Sequence, residues 1–164
     1  MTNLASEPTA PTGTATLSRI LQEGYGPGAW HGPDLAAALS DVTAAAAYRR
    51  PAPGRHNIAE IALHHAWCVR SVLAQVTGAT PGKFPLEGED WFELNSAKDL
   101  GWKELRETLA GLQEKVAKAV AGIEAGRTTS PLAESDRFGL ILGVTCHAVY
   151  HAGQIQLVKR LLSI

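Results

Sequence analysis

The sequence lacks what a membrane, a nucleic acid or an oxidising compartment would require. It has no stretch of about 18 consecutive apolar residues, so no segment reads as a membrane span. The formal net charge is −1, with no run of basic residues. That argues against a nucleic-acid partner, which needs clustered Lys and Arg. Cysteine is limited to Cys68 and Cys146, too few for a disulfide framework. The opening MTNLASEPTAPT lacks the basic start and apolar run of a secretion signal, and residues 1–13 are expected to form a disordered tail. Together these absences predict a soluble cytoplasmic protein with reduced thiols. Aromatic residues make up only 6%, while Ala and Leu are abundant. No alternating strand pattern, internal repeat, GxGxxG or phosphate-loop motif occurs.

What is present is helical spacing. Residues 14–24 carry Ala15, Leu17, Ile20 and Leu21, a short first helix. Pro33 before DLAAAL suggests a helix with proline at its first position. Residues 43–48 add a further turn or two. Residues 57–77 form a long helix. Asn57 with Glu60 three residues on makes a capping box, and Gly78 is placed to end it. Its apolar positions Ile58, Ile61, Ala62, Val69, Val72 and Val76 share a stripe with His65. Residues 79–95 are a long loop, of a length often tied to function. Ser96 can cap the next helix, about 99–124, with Leu105, Leu109, Leu112, Val116, Val120 and Ile123 inward. The last helix spans about 137–162. At 164 residues, the expected fold is one all-α domain over 14–164, a four-helix bundle with short extra N-terminal helices and long loops.

The last helix carries His147 and His151 one turn apart. Residues so spaced share a face, with Cβ atoms roughly 5–6 Å apart. Leu140, Val144, Gln154 and Val158 lie on the same face, which therefore looks inward. Two imidazoles there need partners, because an unpartnered buried polar group costs about 1–3 kcal/mol. A shared metal ion would supply one. HAVYH lacks the glutamate of HExxH, so the pair brings no general base of its own. A third ligand must come from another helix, and only His64 and His65 lie inside one. Periodicity leaves both open.

The cap-led NIAEIALH, followed far downstream by HxxxHxGQ at 147–154, resembles the DinB-like superfamily of metal-binding four-helix bundles. The similarity extends from about residue 14 to the end. Counting seven residues from the polar cap Asn57 gives His64 as the first ligand, with His147 and His151 as the others. The resemblance implies a divalent ion, zinc or nickel, held by three histidines with open positions for water. It also implies an enzyme that activates a thiol or water for attack on a small electrophile. Thiol S-transfer with a low-molecular-weight thiol is preferred and hydrolysis comes second. The alternative is a non-catalytic metal-binding stress-response protein. A homodimer is the expected assembly.

The remaining candidates have plainer readings beside the sharp ones. Glu60 is a base one turn from His64 or, more simply, the capping-box residue. His31 and His56 are loop histidines or part of a site rim. Cys68 and Cys146 are reactive thiols or, more commonly, small hydrophobes. Trp30, Trp67, Trp91 and Trp102 read as packing residues, and Gln154 as a group that could orient His151.

Overall fold

The computed structural model describes residues 16–164, and the tail expected over 1–13 lies outside them. Those residues form six helices and no strand: α1 (Thr16–Tyr25), α2 (Leu35–Leu39), α3 (Ala44–Ala47), α4 (Ile58–Thr77), α5 (Trp102–Glu124) and α6 (Glu134–Leu162). The bundle is built from α1, α4, α5 and α6. α4 packs on α5 and α6, and α1 packs on α6 and α5. None of these helices is long and apolar enough to cross a membrane.

Local chemistry sets the ends. At α4 both halves of the capping box form, and Gly78 closes the helix at φ 72°, a left-handed conformation that glycine adopts without a Cβ penalty. Asp34 caps α2 by accepting from Ala37 N–H at 2.9 Å. Pro33 therefore stands outside that helix rather than at its first position. Ser96 does not cap α5 either. The Asp99 carboxylate accepts from the backbone N–H groups of Asn95 and Ser96 at 2.8 and 3.0 Å, which makes a separate turn. α5 then opens after Gly101, with no side-chain cap. α6 begins at Glu134, earlier than its apolar pattern suggests, because Glu134 and Asp136 suit the positive end of the helix dipole. α1 borrows its cap: Glu124, at the end of α5, accepts from Leu17 N–H, Ser18 N–H and the Ser18 hydroxyl.

The inward stripes read from the sequence are buried or half-buried in each long helix. Lys103–Glu107 and Glu114–Lys118 ion pairs lie on the exposed side of α5. The core falls into two apolar groups. One gathers Leu35, Ile58, Leu63, Leu94, Leu105, Leu109, Ala148 and Ile155. The other gathers Leu21, Val69, Val72, Val116, Ile141 and Val144. Gln113 and His147 fall between the two along α5 and α6, so the bundle carries a polar layer near its middle.

Where α1 crosses α6 the backbones nearly touch. A Cβ on Gly24 would stand 2.9 Å from Ala148 Cβ and 3.0 Å from Thr145 O. Gly24→Ala should therefore push the two helices apart and destabilise the fold by about 1–3 kcal/mol, despite the better helix propensity of alanine. A thermal melt would show this as a lowered Tm. An unchanged Tm would mean that the crossing yields freely.

Candidate metal centre

His147 is the hub of the polar layer. Its Nε2 lies 3.1 Å from His64 Nε2 and 3.0 Å from His151 Nε2. The outer partners of those two rings determine what faces the centre. His64 Nδ1 meets two oxygens of Asp90, the carbonyl at 2.9 Å and the carboxylate at 3.0 Å. His151 Nδ1 meets Gln154 Oε1 at 2.6 Å, and the Gln154 amide nitrogen donates to Tyr150 OH at 3.0 Å. Each Nδ1 thus carries the ring's hydrogen, and each Nε2 is left with a bare lone pair. His147 Nε2 has at most one hydrogen to offer two lone pairs. A divalent cation would satisfy all three nitrogens. Tetrahedral zinc ligands at ~2.0–2.1 Å stand roughly 3.3 Å from one another, close to the 3.1 and 3.0 Å at which His64 and His151 approach His147 Nε2. The donor set fits such an ion.

His65 lies behind this centre. Its Nδ1 is 2.9 Å from His147 Nδ1, and its Nε2 is 2.9 Å from the Gln113 amide. A ligating His147 carries its hydrogen on Nδ1 and donates it to His65 Nδ1, so His65 Nε2–H donates to Gln113 with the amide turned to present its oxygen, and this relay orients the His147 ring. Both adjacent histidines of α4 therefore reach His147, at opposite nitrogens. The choice between them is one of role rather than of direction.

Burial favours the neutral form of His65, His147 and His151. Burial, then the neighbouring imidazoles, push His65 well below the ordinary histidine range. Burial lowers His147 as well. Burial and then His147 bring His151 down to about 4. Neutral imidazole is the ligating form. An unfolded chain would take up a proton at the ordinary value of about 6.5, whereas folded His151 resists until about 4. The metal-free protein should therefore keep its full stability above that upper value and lose stability as pH falls through the window. Urea midpoints measured across it would show the decline, and a flat profile would contradict the burial of a neutral imidazole.

The loop between α4 and α5 covers one side of the site. Asn57 Nδ2 donates to Leu94 O at 2.6 Å and Leu94 N–H donates to Glu60 at 2.9 Å, so the capping box of α4 also clamps this loop. Asp90 then sits at φ 36°, a backbone region that Asp tolerates better than most residues, and turns both its oxygens to His64. Trp91 stacks face to face between His64 and His56, with ring centroids 3.9 Å apart on each side. A shallow cleft of about 420 Å³, lined by Arg50, His56, Glu60, Trp91 and Phe92, opens beside this stack. A larger cleft of about 590 Å³ between Tyr25, Trp102 and Arg106 lies away from the histidines.

Other residues resolve accordingly. Glu60 is the capping-box residue and is spent on Arg50, His56 and the loop. His56 reaches the rim through Trp91. His31 lies elsewhere, bonded to Glu23 O. Trp67 packs with Phe84 and Phe92, and Trp102 is buried, donating to Val42 O. Trp30 is exposed and packs on nothing substantial. Cys146 is exposed, whereas Cys68 is half-buried with its Sγ 3.9 Å from His147 Nε2. The thiol of Cys68 is pushed up to about 11 by burial and then by Asp90. Asp90 and Gln113 were missed from the sequence. Neither has a local signal, since each meets its histidine across tens of residues of chain.

An all-helical bundle with a histidine layer that can hold a metal defines the class of protein. A family model described as the DinB superfamily matches residues 29–155. The chain belongs to the DinB superfamily. Among curated proteins and among solved structures, none matches it significantly.

Proposed function

We propose that the chain is a metal-dependent enzyme in which His64, His147 and His151 hold one divalent ion, zinc or nickel, and that it transfers a low-molecular-weight thiol to a small electrophile. The observation that supports this most is the pair of bare Nε2 lone pairs aimed at His147 Nε2. When bound, the ion supplies Lewis acidity that lowers the pKa of a thiol or water. The chain does the rest. Asp90 and Gln154 hold the rings of His64 and His151 in their ligating tautomers. Trp91 and His56 shield one side from water. His147 and Cys68, half-buried where His64 and His151 are buried, form the side from which a small molecule can approach.

The reading is tested by turnover of a haloarene with and without added thiol. Thiol transfer requires that product form only with thiol. Equal product without it would leave hydrolysis, the runner-up. A loaded site showing no turnover and no spectroscopic response to azide would favour a non-catalytic metal-binding protein. A cytoplasmic homodimer belongs to the same proposal. It is supported by the uncharged run 138–158 and by exposed Leu142, Tyr150 and Leu157 along α6, and light scattering tests it.

A further inference from the structure

α4 offers the centre a second donor. Cys68 follows His64 by one helical turn, just as His151 follows His147 by one turn on α6, and the two pairs face each other across the contact of α4 with α6. The ligand atoms of His64, Cys68 and His147 all lie within 4.8 Å of one another. Cys68 Sγ is 3.9 Å from His147 Nε2, the same atom that His64 and His151 approach. A sulfur and an imidazole nitrogen sharing a tetrahedral zinc stand roughly 3.6 Å apart, given bonds of ~2.3 and ~2.0–2.1 Å. His64, Cys68 and His147 therefore surround one point, and His151 approaches the same His147 Nε2 at 3.0 Å.

We propose that Cys68 is the fourth ligand of the resting centre and holds the position that an incoming low-molecular-weight thiol takes over. This rests on the three-histidine site proposed above. In the exchange, the incoming thiol gives its S–H proton to Cys68 Sγ. With an ion bound, Cys68 would give up its place to the incoming sulfur and leave as the neutral thiol. One thiolate replaces another, so the charge of the site is unchanged and nothing is oxidised or reduced. Position favours this route. Cys68 is partly exposed, whereas His64 and His151 are buried and His147 is engaged at Nδ1 by His65, so Cys68 can swing out while the nitrogen donors stay fixed. A thiolate at rest would also bias the site towards zinc over harder ions.

Cobalt(II) loading of the metal-free protein in thiol-free buffer tests the proposal. Wild type should show the visible bands of tetrahedral cobalt and a sulfur-to-cobalt charge-transfer band in the near ultraviolet. Cys68→Ala and Cys68→Ser should keep the visible bands and lose the charge-transfer band, and 2-mercaptoethanol should restore it in Cys68→Ala. A second measurement needs no variant. In zinc-loaded wild type, iodoacetamide should modify Cys68 at least about tenfold more slowly than in the metal-free protein, because a bound thiolate is shielded. Exposed Cys146 serves as the internal control. Added 2-mercaptoethanol should release Cys68 to modification. Visible bands without the charge-transfer band in wild type, or a band that persists in Cys68→Ala, would overturn the role of Cys68 and leave the three-histidine site standing. No cobalt binding at all would overturn both.

Discussion

His147→Ala should strip the protein of its metal and leave it folded. The Nε2 of His147 is the atom that both other histidines approach, and its Nδ1 is the end of the chain through His65 and Gln113. On the proposed reading its loss removes a ligand and the shared atom of the donor set together. The effect should exceed the roughly 10–100-fold in affinity that loss of an outer partner costs. The fold should survive, because the imidazole is only half-buried and the two apolar groups on either side are untouched. The cost is about 1–3 kcal/mol, for leaving His65 without its partner. Plasma mass spectrometry should find about one ion per chain in wild type, as a single closed donor set requires, and nearly none in the variant. Circular dichroism should show equal helix in both. His64→Ala should behave alike. His65→Ala should weaken binding yet still fill at saturating metal if, as proposed, His65 supports His147 at Nδ1 without being a ligand. Full metal content in His147→Ala would remove the three-histidine site.

Glu60→Ala should cause the largest loss of stability. Its side chain is 1% exposed and fully engaged. Arg50 grips it with both terminal nitrogens, His56 Nδ1 lies at 2.9 Å, and the N–H groups of Leu94 and Asn57 donate to it at 2.9 and 3.4 Å. Removing the carboxylate leaves a guanidinium and two buried N–H groups without their acceptor. Arg50 is partly exposed and can turn to water, so the cost comes mainly from the two orphaned N–H groups, about 1–3 kcal/mol each, still a large share of the roughly 5–15 kcal/mol that holds a typical domain together. The loss should also reach the metal. Glu60 clamps the loop at Leu94, and that loop delivers Asp90 to His64, so affinity should fall in the variant although no ligand has changed. The pH dependence has a definite sign. Burial raises the Glu60 carboxyl, but Arg50, Leu94 N–H and His56 together outweigh it and hold the group below the ordinary value of 4.5. Its stabilisation is therefore present above that value and lost as pH falls through the lower value of the folded state. Urea denaturation of wild type, Glu60→Gln and Glu60→Ala across this acid range would measure both effects. Equal midpoints for wild type and Glu60→Ala at neutral pH would show that the Arg50 pair contributes nothing.

The fold was legible because its determinants are local. The capping box of Asn57 and Glu60 spans three residues and Gly78 acts at a single backbone angle, so both could be read directly. The inward stripes of α4, α5 and α6 follow from helical pitch. Boundaries failed where a competing partner lay outside the helix concerned. Asp34 rather than Pro33 begins α2, and Asp99 draws Ser96 into its own turn. The borrowed cap of α1, Glu124, lies at the far end of another helix.

The histidine site divides in the same way. The i, i+4 spacing by itself determined that His147 and His151 share a face, and that Cys68 shares one with His64, because one turn of helix imposes it. Only the packing of α4 against α6 decided that these two faces meet, and how far α4 is rotated about its axis. That rotation sends His64 to Nε2 of His147 and His65 to Nδ1, a distinction no periodicity contains. Asp90, Trp91 and Gln113 reach the site from the loop and from α5, the loop held by the clamp at Leu94 and Gln113 by burial. Such partners are separated in the chain by far more than a helical turn, so the core that folds around them, and not the local sequence, brings them to the histidines.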